Sequence, residues 1–415
     1  MRKYDVAVIG GGFAGVAAAI AAAREGAKVI LIEKGNCLGG AAVHSLVVPF
    51  MRYYTEKDGV KTILSAGIFE EILKELKERS RMHYGSFSTE FLKILLNEMV
   101  LSEKIDLLFH ANIFKTEKNN GFIKSVSLAT AEGVTEIAAD YFIDATGDAL
   151  VAFLADCPTK LGREEDNLCQ PMTLCFRLGN VDVDKFLASR EKLKIAHREA
   201  LERGEFINPR EDILLFRTPE PKVIHFNTTR VVKLNPVDPF DKTKAEIIAR
   251  QQVVEIYEFM KKNADGLEDS FLMMTGAEIG IRESRMIVGD YVLTEQDCKE
   301  CTVFPDAIAA CNYDMDIHNP EGTGTSHYFF RDGTFYTIPY RALIPKNAEN
   351  LLVAGRCISS DHTAQASYRI MPTVCTLGEA AGTAAAIAAK HKVTVREVDI
   401  TELQATLKNN GAFIG

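Results

Sequence analysis

The chain has 415 residues, 47% of them hydrophobic, with a formal net charge of −9 and an isoelectric point near 5.6. That length and apolar content bury a large core, which excludes global disorder and leads us to expect two or three domains or one elaborated α/β unit. The acidic balance argues against nucleic-acid binding, whose usual footprint is a basic stripe, and directs attention to a small ligand.

Met1 to Tyr4 lead straight into an apolar strand pattern and then glycines, without the h-region or cleavage site of a signal peptide. The longest apolar stretches are alanine-rich and broken by glycine or charge, so no membrane span is expected and a cytoplasmic location is. Nine cysteines, odd in number and irregularly spread, do not make a secreted disulfide framework. Cys298 and Cys301 have CxxC spacing, but no second pair or nearby histidine cluster completes a zinc or iron–sulfur set, and no metal is expected.

Taken in chain order, residues 6–9 read as a strand, 10–15 as a glycine turn, the following alanine-rich run to about Glu25 as a helix, and 29–32 as a second strand. Two helical patterns follow. Ile68, Ile72, Leu73 and Leu76 share one face, and Phe91, Ile94, Leu95 and Met99 share another, with Ser88 or Thr89 as a cap. Residues 105–144 read as a small β-meander, with Asn119, Asn120 and Gly121 as hairpin turn chemistry. The run Tyr141, Phe142, Ile143 then stops at Ala145, Thr146, Gly147 and Asp148, as a buried strand does at a ligand-facing turn.

Residues 157–340 read as a separate α+β substrate or cap domain. Proline-containing β-like stretches between Pro209 and Pro239 separate two charged helical patterns, 185–203 and 242–262. Residues 351–389 return to strand, turn and alanine-rich helix. The expected fold is therefore α/β: a discontinuous Rossmann-like domain, 1–156 and 341–415, with the unit 157–340 inserted.

Gly10, Gly12 and Gly15 form GxGxxG between strand and helix, the context that gives the motif meaning. Gly10 permits the tight turn, Gly12 lets backbone approach a pyrophosphate, and Gly15 lets helix pack on strand; the helix amino terminus supplies free N–H groups. Glu33, about twenty residues on at the end of the second strand, suits ribose hydroxyls and repels a 2′-phosphate, disfavouring NADP. FAD and NAD share an ADP half, so this fingerprint alone does not choose between them.

Four stretches carry a wider likeness: GGGFAG through Glu33-Lys34 to Leu38-Gly39-Gly40-Ala41-Ala42; Asp144-Ala145-Thr146-Gly147-Asp148; Thr275 to Arg285, containing GIRESR; and 351–389, containing AGRCISSDHTAQASYRIMPT and GEAAGTAAAIAA. In these the chain resembles the FAD-dependent oxidoreductases of the glutathione-reductase-like superfamily, especially a large bacterial group. Met286 departs from that group's second arginine.

The resemblance implies FAD contacts at Gly10, Gly12, Phe13, Ala14, Gly15, Glu33, Lys34, Gly39, Gly40, Ala41, Ala42, Ile113, Ala145, Thr146, Gly147, Asp148, Gly355, Arg356, Arg369, Met371, Pro372 and Thr373. It also implies a helix near Pro372 aimed at the pyrimidine side of the isoalloxazine, where its positive end and Arg369 would stabilise the anion that develops on reduction.

Flavin chemistry also needs a group that manages a proton. His318 and His362 are the candidates, while Arg282, Arg285, Arg356 and above all Arg369 are candidates to orient a carboxylate or neutralise reduced flavin. Cys37 lacks the second cysteine of a disulfide reductase, although covalent flavin attachment through Cys37 or His44 stays open. Gly322-Thr323-Gly324 lacks the flanking strand of a second dinucleotide site.

The expected activity is hydride transfer between flavin and a small organic substrate, with an unidentified electron acceptor or donor and a homo-oligomer left open. The alternatives are a flavin-dependent modifier of a macromolecule such as tRNA, and a flavin-binding protein without turnover.

Overall fold

The computed structural model describes residues 2–415. Strand Arg2–Ile9, helix Phe13–Arg24 and strand Val29–Ile32 form the expected opening βαβ unit. All four residues of Val29–Ile32 are buried, as a parallel strand covered on both faces requires.

The main sheet has seven strands. Asp106–Leu108, Val29–Ile32, Arg2–Ile9 and Gly133–Asp144 run parallel, and Phe122–Thr130 and Asn112–Asn119 extend it antiparallel. The hairpin joining these last two turns at Asn120 (φ 48°) and Gly121 (φ 81°), the two left-handed residues of a type I′ turn. The seventh strand, Leu351–Val353, pairs parallel with residues 142–144 after the long excursion of the chain, which closes the α/β fold on itself. The parallel strands end level, Ile9 beside both Ile32 and Asp144, and Asp144 beside Val353. Their following loops therefore open together on one crevice at the carboxyl edge, where α/β sheets bind ligands.

A second sheet, in the order Leu215–Arg217, Ile224–Phe226, Phe176–Gly179, Phe271–Thr275, forms the centre of the inserted unit. Phe176, Leu178, Ile224 and Phe226 on one face pack with Ala245, Ala249, Val253 and Ile256 of helix Pro239–Asn263, which Asp238 caps. The expected charged helix at 185–203 is two helices, Val183–Ala188 and Arg190–Glu202, divided at Ser189, whose hydroxyl bonds the Phe186 carbonyl.

Packing divides the span 157–340. The core of the inserted unit takes its last residue at Ile279, whereas Leu293, Ile308, Met315, Tyr336 and Ile338 join the core of the dinucleotide-type unit. The cause is the pair of strands Ala307–Cys311 and Tyr336–Pro339, the first of which lies against the returning helix Met371–His391.

Helix Ile68–Glu78 buries the predicted Ile68, Ile72, Leu73 and Leu76. Helix Thr89–Ser102 corrects its predicted face: Leu92, Leu95, Leu96 and Val100 are buried with Thr89, while Ile94 is 49% exposed. Apolar residues occupy more than one stripe of this helix, and periodicity alone does not say which stripe meets the core; the Arg81 guanidinium covers the Phe91 ring at 3.5 Å. Ser88 takes the N-cap position without a side-chain cap bond.

Helix Met371–His391 lies against Phe13–Arg24 with almost no side chain between them. A Cβ on Gly378 would stand 2.0 Å from the Ala14 carbonyl oxygen, and one on Gly382 2.1 Å from that of Ala18. Among the described residues no single helix is long and apolar enough to cross a membrane; helices His362–Tyr368 and Met371–His391 are bent 95° apart and largely buried.

Two predictions follow from this packing. Gly378→Ala must separate the two helices and destabilise the fold by about 1–3 kcal/mol, read from urea unfolding; unchanged stability would contradict the close contact. Glu379, on the same helix, accepts a hydrogen bond from the Ile68 N–H at 3.1 Å. Burial, with Glu71 nearby, pushes its carboxyl from the ordinary 4.5 to about 7 against the Ile68 bond and Arg24. Between those values the folded chain keeps a proton that the unfolded chain has lost, so stability falls as pH rises through the window, by up to about 1.4 kcal/mol per unit. Glu379→Gln flattens that fall and gains stability over the parent above pH 7, measured by unfolding across pH.

Candidate active site

The glycine turn is closed by the protein itself at two of its three glycines. Gly10, at φ 108°, would place a Cβ 2.3 Å from the Ala145 carbonyl oxygen, and Gly15 one at 1.7 Å from that of Gly10. Gly12 differs. Its backbone is ordinary (φ −72°), and the nearest atom to a Cβ would be Gly40 Cα at 3.8 Å. Nothing inside the protein demands glycine there, yet the space it leaves lies at the amino terminus of Phe13–Arg24, where backbone N–H groups lack helical partners. That cradle fits a diphosphate.

Glu33 is buried at the end of its strand and receives the Gly11 N–H on Oε2 (2.6 Å) and the Gly35 N–H on Oε1 (2.7 Å). A carboxylate accepts about four hydrogen bonds, so capacity remains for hydroxyl donors. Lys34 reaches Glu278 of the inserted unit at 3.1 Å. The Gly39 N–H bonds the Gly11 carbonyl at 2.8 Å, and Gly40, Ala41 and Ala42 start the short helix Ala41–His44 over the cradle. Ile113 is buried on strand Asn112–Asn119, two residues beyond Ala111, whose N–H bonds the Glu33 carbonyl at 3.2 Å.

Asp144 holds the next loop. Its Oδ1 accepts from Thr146 N (3.1 Å) and Oγ1 (2.6 Å), and its Oδ2 from Ala152 N (3.0 Å). Burial still pushes its carboxyl upward against these bonds. Asp148 goes the other way: burial raises it, but the Arg356 guanidinium at 2.7 Å and the Ser284 hydroxyl at 2.7 Å hold it below the usual carboxylate range. A Cβ on Gly147, at φ 78°, would meet Arg356 at 2.7 Å, so the loop needs glycine there to admit the arginine. Gly355, at φ 107°, passes beside Ala14.

The contacts Gly378 to Ala14 and Gly382 to Ala18 run in the same direction, so the two helices are parallel. Helix Met371–His391 starts seven residues before Gly378, and Phe13–Arg24 one residue before Ala14. At the helical rise the returning amino terminus therefore reaches about 9 Å beyond the diphosphate cradle. Pro372 lies in its first turn, where the missing N–H is harmless. Met371 and the buried Thr373 accompany it, and Arg369 closes the preceding helix. The Arg369 Nη2 donates to Gln170 Oε1 (3.1 Å) and the Asp316 carbonyl (3.2 Å), leaving a buried Nε without a partner.

The two predicted histidines have different surroundings. His318 is buried, with Nδ1 at 3.1 Å from Arg230 Nη2 and Nε2 at 3.3 Å from Asp316 Oδ2. Arginine only donates, so Nδ1 is the acceptor and Nε2–H faces Asp316. Burial, with Arg282 and Arg369 nearby, holds this imidazole neutral well below its ordinary value despite Asp316. Both ring nitrogens are occupied. His362 Nδ1 lies 2.8 Å from Oε1 of the fully buried Glu283, and its Nε2 has no hydrogen-bond partner among the described residues. Arg282 donates to the Pro171 carbonyl (2.7 Å) and Thr173 Oγ1 (2.5 Å).

Gln170 ties these groups together. Its N–H bonds Glu283 Oε2 at 2.8 Å, its side chain meets Arg369, and its amide lies 3.2 Å from Gln365 Oε1. Sequence reasoning passed over Gln170 and Arg230, which lie in no motif; Glu283 stood inside the quoted GIRESR block without being singled out. All nine cysteines are free thiols. Burial raises the Cys37 thiol, whose sulfur is 3.9 Å from His44 Nε2. No group of three or more metal-ligating side chains occurs among the described residues.

Over 163 residues the chain is 31% identical to glutathione reductase of Debaryomyces hansenii, covering 38% of this chain and 29% of that protein. Over 49 residues it is 47% identical to the soluble pyridine nucleotide transhydrogenase of Mycobacterium bovis, covering 12% of this chain and 10% of that protein. The matched stretches thus span under a third of these relatives' lengths. Among solved structures, a geranylgeranyl bacteriochlorophyll reductase-like protein from Thermoplasma acidophilum superposes with a TM-score of 0.48 at 13% identity, covering 99% of this chain and 83% of that one. A flavoprotein/dehydrogenase from Cytophaga hutchinsonii gives 0.47 at 12%, covering 97% and 83%. The family described as FAD dependent oxidoreductase matches residues 5–407, and the chain belongs to that family of FAD-binding oxidoreductases.

Proposed function

We propose that FAD lies along the carboxyl edge of the main sheet, its diphosphate on the Gly10–Gly15 turn and its isoalloxazine at the amino terminus of Met371–His391. There the enzyme moves a hydride between flavin and a small organic substrate. The observation that carries this reading is the offset of about 9 Å between two parallel helix amino termini, which suits one end to a diphosphate and the other to a ring beyond it. Bound FAD supplies the two-electron hydride chemistry.

The residues of the chain do the rest. Glu33 accepts hydrogen bonds from the ribose hydroxyls, and the Asp144 and Asp148 loops form the opposite wall. The helix dipole and Arg369 stabilise negative charge on the pyrimidine side. His362, its Nδ1 held by Glu283 and its Nε2 left to the substrate, is the group that takes the substrate's proton. His318, with both nitrogens engaged, positions Asp316 and Arg230. A separate small-molecule acceptor or donor restores the flavin's oxidation state.

Purified protein should be yellow, and a colourless protein that cannot be reconstituted with FAD would remove this reading. Gly12→Ala should leave apoprotein unfolding unchanged, since a methyl fits the fold, but abolish FAD retention; retained flavin would show that the cradle is not the diphosphate site. Arg369→Ala should weaken FAD retention or slow anaerobic bleaching by a substrate. His362→Ala should keep the flavin spectrum and slow bleaching about 10²-fold or more; an unchanged rate would exclude it as the base.

A further inference from the structure

One face of the inserted sheet is greasy and packs on its helix; the other is cationic. Phe176, Leu178, Ile224 and Phe226 fill the core, so alternation turns Arg177 and its cross-strand neighbour His225 to the opposite face. Thr173 and Cys175 precede Arg177 at the same spacing, and Thr173 Oγ1 is the group that receives Arg282.

Arg369 and Arg230 are joined through Asp316 and His318, Arg282 is held by Thr173, Arg177 lies on the sheet face continued by Thr173, and Arg210 precedes Glu211, the partner of Arg230, so five guanidiniums gather between the inserted sheet and the start of the returning helix. Arg177, Arg210 and Arg230 are 3%, 8% and 1% exposed. Among the described residues, Arg230 is the only one of the five with a carboxylate within 4 Å, the half-exposed Glu211 at 3.2 Å. Asp316 meets His318 and Tyr313 through Oδ2 alone, and its buried Oδ1 makes no hydrogen bond among the described residues, with His327 Nε2 at 3.7 Å. Nε of Arg177, Arg210, Arg230 and Arg369 is buried without a partner, as are Arg177 Nη2 and both ring nitrogens of His225. Burial and the neighbouring arginines lower the Arg282 guanidinium to about 9 against the opposing pull of Asp316.

Buried arginines are ordinarily paired, because an uncompensated charge in a low-dielectric interior is strongly destabilising. Unsatisfied buried guanidinium donors from separate elements outnumber the two carboxylate oxygens left open beside them, Asp316 Oδ1 and Glu220 Oε2, and such a surplus of cation describes a site built for an anion. We infer that this region binds a small organic oxyanion, a carboxylate or phosphate monoester, through forked contacts to these arginines. The inference rests on the flavin reading only for its consequence, that this oxyanion belongs to the substrate and is held beside the ring. Guanidinium forks match both oxyanions, whereas a neutral amide would leave the cations unpaired.

The test is titration of the FAD-loaded protein with malonate, inorganic phosphate and neutral malonamide, followed by the flavin spectrum and by calorimetry. Saturable binding of malonate or phosphate, at least tenfold tighter than malonamide, is expected. Tighter malonate identifies a carboxylate, and tighter phosphate a phosphate ester. Arg177→Gln and Arg210→Gln should each weaken binding at least tenfold with flavin content and unfolding temperature unchanged. Equal affinity for malonamide, or full affinity in both variants, overturns the inference. If the protein holds no FAD, the flavin reading falls instead, and calorimetry with malonate still decides for or against the anion site.

Discussion

Two parallel helices meeting through glycine set the geometry on which the rest of the molecule depends. Gly378 and Gly382 bring the backbone of Met371–His391 onto the Ala14 and Ala18 carbonyls. A close approach of this kind permits almost no axial slip, because any other register would put alanine methyl groups against backbone. The fixed register decides how far one positive helix end stands beyond the other. A loose contact would leave the distance between a diphosphate and a ring undefined.

The loops at the sheet edge are held by buried acids. Glu33, Asp144 and Asp148 each satisfy local donors: Glu33 the Gly11 and Gly35 amides, Asp144 the Thr146 loop and the following helix, Asp148 the Arg356 guanidinium and Ser284. These bonds order the crevice before any ligand arrives, which lowers the cost of ordering it on binding. The arginine side of the crevice is the reverse case. There donors stay unmatched, and the folded chain carries a cost that an anion would offset.

Much of the first unit could be read from residues alone, since its signals are local. GxGxxG followed at a set distance by Glu33, and Asn120-Gly121 between alternating runs, each specify backbone that few other residues tolerate. The buried stripe of Thr89–Ser102 is not legible in the sequence, because apolar residues lie around more than one side and the choice belongs to the neighbours. The span 293–340 carries no local mark of the core it joins, because its strands are short and nothing in them names the helix they rest on.

The sequence by itself determined the dinucleotide turn, the acid at the end of the second strand, the return of the chain after residue 350 and the family. These rest on backbone conformations and short spacings written in consecutive residues. Only the tertiary structure decided that both nitrogens of His318 are engaged while His362 keeps one free, that Gln170 links Glu283 to Arg369, and that five arginines from distant segments share one region. Hydrogen-bond partners and the sum of buried charge are properties of positions brought together by folding, and no local pattern in the chain records them.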